Sequence, residues 1–175
     1  MSRIGHWMQT FSGVAFYPLD PRPEEIFIED IAHALSLSCR FGGQCKKFYS
    51  VAEHCILAAE AAPNELKLTT LMHDSSEAYL SDVVRPIKMH LTNYIDIEKN
   101  LEQVIATKFG LKFPYPHIVK LIDNGMLVNE MHQNMAPPPQ VWDLTGESIN
   151  ISTKLQFWLP EEAEYEFLNA FHKYS

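Results

Sequence analysis

The stretch Tyr49-Ser50-Val51-Ala52-Glu53-His54-Cys55-Ile56-Leu57 decides how the chain is read. Ser50 stands where a helix N-cap is expected, because its hydroxyl oxygen can accept a hydrogen bond from an unpaired amide of the first turn. A helix should therefore start at Val51 and run to about Ala62, just before Pro63, a residue that helix interiors reject. Most of its side chains are apolar and belong in a core. His54 sits among them, and an imidazole in such a setting is more often a hydrogen-bonded core residue than a ligand. Taken alone, His54 decides nothing.

Other helices flank this one. Upstream, after Pro21-Arg22-Pro23, the residues Ile28, Ile31, Ala32, Leu35 and Cys39 follow helical spacing until Gly42-Gly43. Downstream, a helix from near Asn64 turns Leu68, Leu71 and Met72 inward and must finish before Pro86. Two more are expected from Tyr94 to Phe109, ended by Gly110, and from Pro116 to about Met131. Ala136-Pro137-Pro138-Pro139-Gln140 cannot be helical. It opens a loop to Leu159, with a short extended piece around Ile149–Ser152, before a last helix from Pro160 to near Phe171. The expectation is one compact all-α domain over residues 1–175. Its helical bundle occupies about 24–135, and a long loop and final helix fill 136–175.

Bulk properties narrow the function. The chain is 46% apolar and 21% charged, with a formal net charge of -8. A negative surface repels a nucleic-acid backbone, so duplex DNA or RNA is not expected as a partner. An anionic substrate would need a locally positive site. Cys39, Cys45 and Cys55 are odd in number and form no CxxC pair. They predict reduced thiols in a cytoplasmic protein, with neither a disulfide framework nor a thiolate zinc site. No signal peptide or membrane span is expected.

The segment Leu71-Met72-His73-Asp74-Ser75-Ser76-Glu77-Ala78 carries the sharpest chemical signal. On a continuous helix Glu77 would lie about 40° round from His73 and about 60° from Asp74. Three hydrophilic groups on one face are costly to desolvate unless a cation or hydrogen bonds satisfy them. A His-Asp dipeptide is common by chance, but this one follows a buried-looking Leu-Met turn. Asp123, one turn from both Val119 and Leu127, places a further carboxylate on a largely apolar stripe. His54, His73, Asp74 and Asp123 together offer two imidazoles and two carboxylates. That donor set suits one divalent transition ion, whether Mn, Co, Zn, Fe or Ni.

The pattern His54…His73-Asp74…Asp123 resembles the H…HD…D signature of the HD-domain superfamily of metal-dependent phosphohydrolases. Its surroundings resemble the small bacterial and prophage enzymes of the 5'-deoxynucleotidase type. The similar stretches are Asp30–Leu35, Cys39-Arg40-Phe41-Gly42-Gly43, Phe48–His54, His73–Leu80 and Asp82–Lys88, within residues 8 to 135. The resemblance implies that His54, His73, Asp74 and Asp123 hold one metal ion. It also implies that Glu77 handles a proton or polarises water, and that Asp82 orients the nucleophile. Asp82 can do so only if its helix ends first, for which Pro86 is a signal. Arg40 matches the arginine that grips substrate phosphate. Phe41 stands where relatives carry a tryptophan that packs on the sugar or base. A homo-oligomer is a further implication.

Several residues are discounted. His33 reads as solvated or as a supporting histidine, and His90, His117 and His132 are not spaced as ligands of a second metal. Arg85 and Lys88 either meet a phosphate or decorate a turn. Lys46-Lys47 reads as a solvated pair, and Trp142 and Trp158 as core or subunit contacts. The leading expectation is hydrolysis of deoxynucleoside 5'-monophosphates. The alternatives are a dNTP triphosphohydrolase releasing tripolyphosphate, and a non-catalytic scaffold that binds a nucleotide or a protein.

Overall fold

A computed structural model describes residues 2–142 and 147–175. After a small antiparallel hairpin, β1 (Met8–Gln9) and β2 (Ala15–Phe16), the elements are helical. They are α1 (Ile28–Leu37), α2 (Val51–Ala61), α3 (Lys67–Leu71), α4 (Glu77–Leu80), α5 (Arg85–Lys88), α6 (Thr92–Lys108), α7 (His117–Asn134) and α8 (Pro160–Tyr174). The protein is all-α, as expected.

α2 is the axis of the bundle. Ser50 Oγ accepts the Glu53 amide at 3.0 Å, forming the anticipated cap. Every residue from Val51 to Ala59 is buried, and a helix enclosed on all sides must be mostly apolar all round. Its Val51, Cys55, Ile56 and Ala59 pack with Ile31 and Leu35 of α1 and with Phe167 of α8. Its Leu57 and Ala58 face a second cluster, formed by Ile122 and Met126 of α7 and by Leu155. His54 and Glu53 are enclosed between these two apolar bodies, each with no exposed surface.

Residues 147–159 form a strap across α7 and α2. Glu53 anchors it: this buried carboxylate accepts the successive amides of Gln156, Phe157 and Trp158 at 2.6, 3.0 and 2.9 Å. Phe157 takes a left-handed conformation (φ 59°) there, which turns consecutive N–H groups toward one anion. α7 adds side-chain ties, with Asn124 donating to Glu147 O and Asn129 to Thr153 O. The strap lies so close to α7 that a Cβ on Gly125 would come 2.3 Å from Ile149 O.

Four local expectations are corrected. α1 stops at Leu37, and Cys39 instead pairs with Ser50 in a single antiparallel bridge. Gly42-Gly43 serve a 3-10 turn, Arg40–Gly43, rather than a helix end. The helix expected between Asn64 and Pro86 is broken into α3, tight turns over 72–76, and α4, with α5 following. Pro86 lies inside the first turn of α5, where its missing N–H costs nothing. Ile149–Ser152 forms no strand; Ile149 makes one backbone bond to Leu121 O and wedges its side chain against the second cluster. The hairpin was not anticipated. Its Phe16 is fully buried and stacks on Tyr79 of α4 at 4.2 Å.

Gly125 gives a test with a definite sign. Gly→Ala inside a helix ordinarily stabilises by about 1 kcal/mol. Here the added methyl meets a backbone carbonyl, so Gly125→Ala should destabilise by about 1–3 kcal/mol, seen as a lower urea midpoint. A raised midpoint would contradict the packing of the strap.

Candidate metal centre

Two imidazoles set the geometry. His54 Nδ1 donates to the Glu130 carboxylate at 2.5 Å, and His73 Nδ1 donates to Thr70 O at 2.7 Å. Each ring thereby turns an Nε2 lone pair toward the other, with the two nitrogens 3.4 Å apart. Asp74 Oδ2 lies 3.6 Å from His54 Nε2 and 3.3 Å from His73 Nε2. Asp123 Oδ1 lies 3.4 and 3.9 Å from the same two atoms. Ligands about 2.1 Å from a shared ion sit about 3.0–3.4 Å apart at octahedral or tetrahedral angles. His54, His73 and Asp123 are all buried and could hold a metal ion, and Asp74 is within reach of both rings.

The donor chemistry fits a cation. Four electron-pair donors converge once both Nδ1 atoms have donated outward. Burial alone would push the imidazoles down and the carboxylates up. Instead, attraction within the cluster overcomes burial, holding His73 well above its ordinary range and Asp123 well below. The same field that favours positive charge on a ring favours a divalent ion between the rings.

Apart from His54 and His73, which are buried and do not line it, the expected site residues come together on one cavity of about 750 Å³, within the range of about 300–1,000 Å³ usual for small-molecule sites. Asp74, Asp123, Glu77, Asp82, Arg40 and Phe41 all line it. His73 and Asp74 arrive by a route the sequence did not indicate, from the tight turns between α3 and α4 rather than from a continuous helix face. Glu77 opens α4, with its Oε2 buried and unpartnered. Burial, then Asp74 and Asp82, push its carboxyl well above the ordinary range. Asp82 reaches the cavity because α4 stops at Leu80 and Ser81 turns left-handed (φ 67°).

Arg40 is buried, with its guanidinium 3.2 Å from Glu130 and 3.6 Å from Asp74, and its Nε has no partner. Phe41 follows it at φ 59°, and the Arg40 guanidinium carbon lies over its ring, 5.6 Å from the centroid. Lys88 lines the cavity too, but its ammonium is paired with Glu98 at 2.6 Å. Arg85 and Lys120 are likewise engaged, with Asn124 and Asp123 respectively. Trp142, read as a core or subunit contact, lies outside both core clusters and lines the cavity with its ring 6.2 Å from Phe41. Trp158 does pack on the core. His33 bonds Glu164 away from this site, and His90, His117 and His132 are exposed.

Sequence reasoning missed Glu130 and underused Cys55. Glu130 has no exposed surface and accepts from His54, from Tyr49 Oη at 3.0 Å and from Arg40. Its separation from Asp123 is seven residues, so the two carboxylates lie about 20° apart on α7. That repeat was the available signal. Cys55 brings its sulfur within 4.8 Å of ligand atoms on His73 and Asp74. Burial pushes its thiol up to about 11, so it is a poor rival to the His54 imidazole.

No family model matches the sequence. The chain is 40% identical over 124 residues to YfdR of Escherichia coli strain K12, an uncharacterized protein, covering 71% of this chain and 70% of that one. It is 36% identical, also over 124 residues, to an uncharacterized protein of Rhodobacter capsulatus, covering 65% of this chain and 63% of the other.

Glu130 fixes the tautomer and aim of His54, and such supporting groups are worth about 10–100-fold in metal affinity. Glu130→Gln should weaken binding of Mn or Co by that factor in calorimetric titration. An unchanged dissociation constant would remove Glu130 from the centre.

Proposed function

The chain belongs to the YfdR family, and from its convergent donor centre we propose that it is a metal-dependent phosphohydrolase of the HD-domain type, acting on deoxynucleoside 5'-monophosphates. The observation that carries this reading is the convergence of buried His54 and His73 with Asp74 and Asp123, the two carboxylates and Arg40 lining an open cavity. Nitrogen and oxygen donors without thiolate suit Mn, Co, Zn, Fe or Ni. Such an ion would supply Lewis acidity to a phosphoryl oxygen and would lower the pKa of a water.

The rest of the work falls to the chain. Arg40 offers a planar fork of donors to phosphate oxygens, pre-oriented by Glu130 and Asp74. Its unpartnered Nε leaves donor capacity for a ligand. Glu77, its carboxyl pushed well above the ordinary range by burial and by neighbouring Asp74 and Asp82, can hold a proton for the departing nucleoside oxygen. Asp82, in the same lining, can orient water. Phe41 and Trp142 give an apolar wall for the sugar and base. Four basic side chains (Arg40, Arg85, Lys88, Lys120) offset four carboxylates in the lining, so a divalent ion would make the cavity net positive in a chain of charge -8.

A second reading rests on Arg85, Lys88 and Lys120. Three further cations beside Arg40 could accommodate a longer anion, as a dNTP triphosphohydrolase requires. Each is already engaged by an acidic or amide side chain, which favours the shorter one.

The expected outcome for Mn- or Co-loaded protein is orthophosphate release from a panel of deoxynucleoside monophosphates. Tripolyphosphate from a dNTP would select the second reading, and no turnover with either class would reject both. Glu77→Gln should lower kcat by about 10²–10⁴ with metal content unchanged, and Arg40→Ala should chiefly raise KM.

A further inference from the structure

Cys39 and Cys45 bracket the turn that delivers Arg40 and Phe41 to the cavity, and their sulfurs are 3.6 Å apart. No element of the metal centre uses either thiol. Both are half-buried, accessible to a small solute yet held by neighbouring structure. The backbone on each side of the turn is pinned. On one side Cys39 bridges Ser50 and the Arg40 amide donates to Tyr49 O at 2.9 Å. On the other, the Lys46 amide donates to Asn134 O at 2.8 Å, and Asn134 also bonds both backbone groups of Lys47. Between these anchors the turn includes Phe41, Gly42 and Gly43, all at positive φ.

We propose that Cys39 and Cys45 are a redox modification site, closing reversibly into an intrachain disulfide that staples the Arg40–Gly43 turn. Bonding needs the sulfurs to approach from contact to about 2.0 Å, which side-chain rotation and the glycine-rich turn can absorb. The oxidant class is a hydroperoxide. The thiolate of one cysteine attacks the peroxide O–O bond, forming a sulfenic acid and releasing an alcohol, or water from hydrogen peroxide. The second thiol then attacks that sulfur as its thiolate, an S–S bond forms, and the S–O bond breaks with loss of water. Two thiols are oxidised and one peroxide is reduced. A dithiol reductant reverses the change by exchange.

The neighbouring groups shape the rate. Burial, and after it the hydrogen bond with Cys39, push the Cys45 thiol up, so less of it is thiolate near neutrality. Bridging should accelerate as pH is raised. The consequence falls on the cavity wall, because Arg40 and Phe41 lie inside the closed ring. Stapling limits how far they can yield to a ligand.

The test uses the intact chain treated with hydrogen peroxide. Expected results are a loss of two of the three free thiols, a mass decrease of about 2 Da and a proteolytic peptide linking Cys39 to Cys45, all reversed by dithiothreitol. Amides of 40–46 should exchange with deuterium more slowly in the oxidised form, and both Cys39→Ser and Cys45→Ser should abolish that slowing. Stable sulfinic acid at either position, disulfide-linked dimers in place of the intrachain link, or unchanged exchange over 40–46 with the link formed would each overturn the proposal.

Discussion

The fully buried carboxylate of Glu130 is the constraint that ties the site to the fold. A charge removed from water costs several kcal/mol unless it is paired and hydrogen-bonded. Glu130 meets that demand with three partners from separate places in the chain: Arg40 of the 3-10 turn, Tyr49 just before α2, and His54 within α2. Satisfying one carboxylate therefore fixes the turn, α2 and α7 against each other. It also fixes the functional chemistry, because the bond to Nδ1 leaves His54 Nε2 as an acceptor facing His73.

A second buried carboxylate plays the parallel part on the other side of α2. Glu53 collects three backbone amides and so ties down a strap that has little regular structure of its own. Adjacent residues of one helix thus do different work: Glu53 closes the fold over α7, while His54 faces His73, Asp74 and Asp123. Gly125 permits the closure, since only a residue without a side chain lets the strap's carbonyl approach α7 so nearly. The same strap supplies Leu155 to the second core cluster.

Electrostatics separates the cavity from the rest of the surface. The chain as a whole is acidic, whereas in the cavity lining four basic side chains balance four carboxylates. Most are committed to neighbouring acids, which holds them in place and moderates their attraction for anions. Arg40 differs, being buried, bound to Glu130 and still possessed of an unpartnered N–H. It also lies within the turn bracketed by the contacting sulfurs of Cys39 and Cys45.

The sequence by itself determined the helical class, the Ser50 cap, the extents of α2 and α6 within a few residues, and the residue types that meet at the cavity. These follow from local rules: capping, 3.6-residue periodicity and the cost of a polar group on an apolar stripe. Only the tertiary structure decided that His73 and Asp74 arrive from turns rather than a helix face, that Pro86 starts α5, and that Trp142 joins the cavity wall. It alone revealed Glu130 as the partner of His54, Arg40 and Tyr49, and brought Cys39 to Cys45. Local rules sense neighbours a turn away, whereas the partner that satisfies a buried charge is chosen by packing between segments distant along the chain.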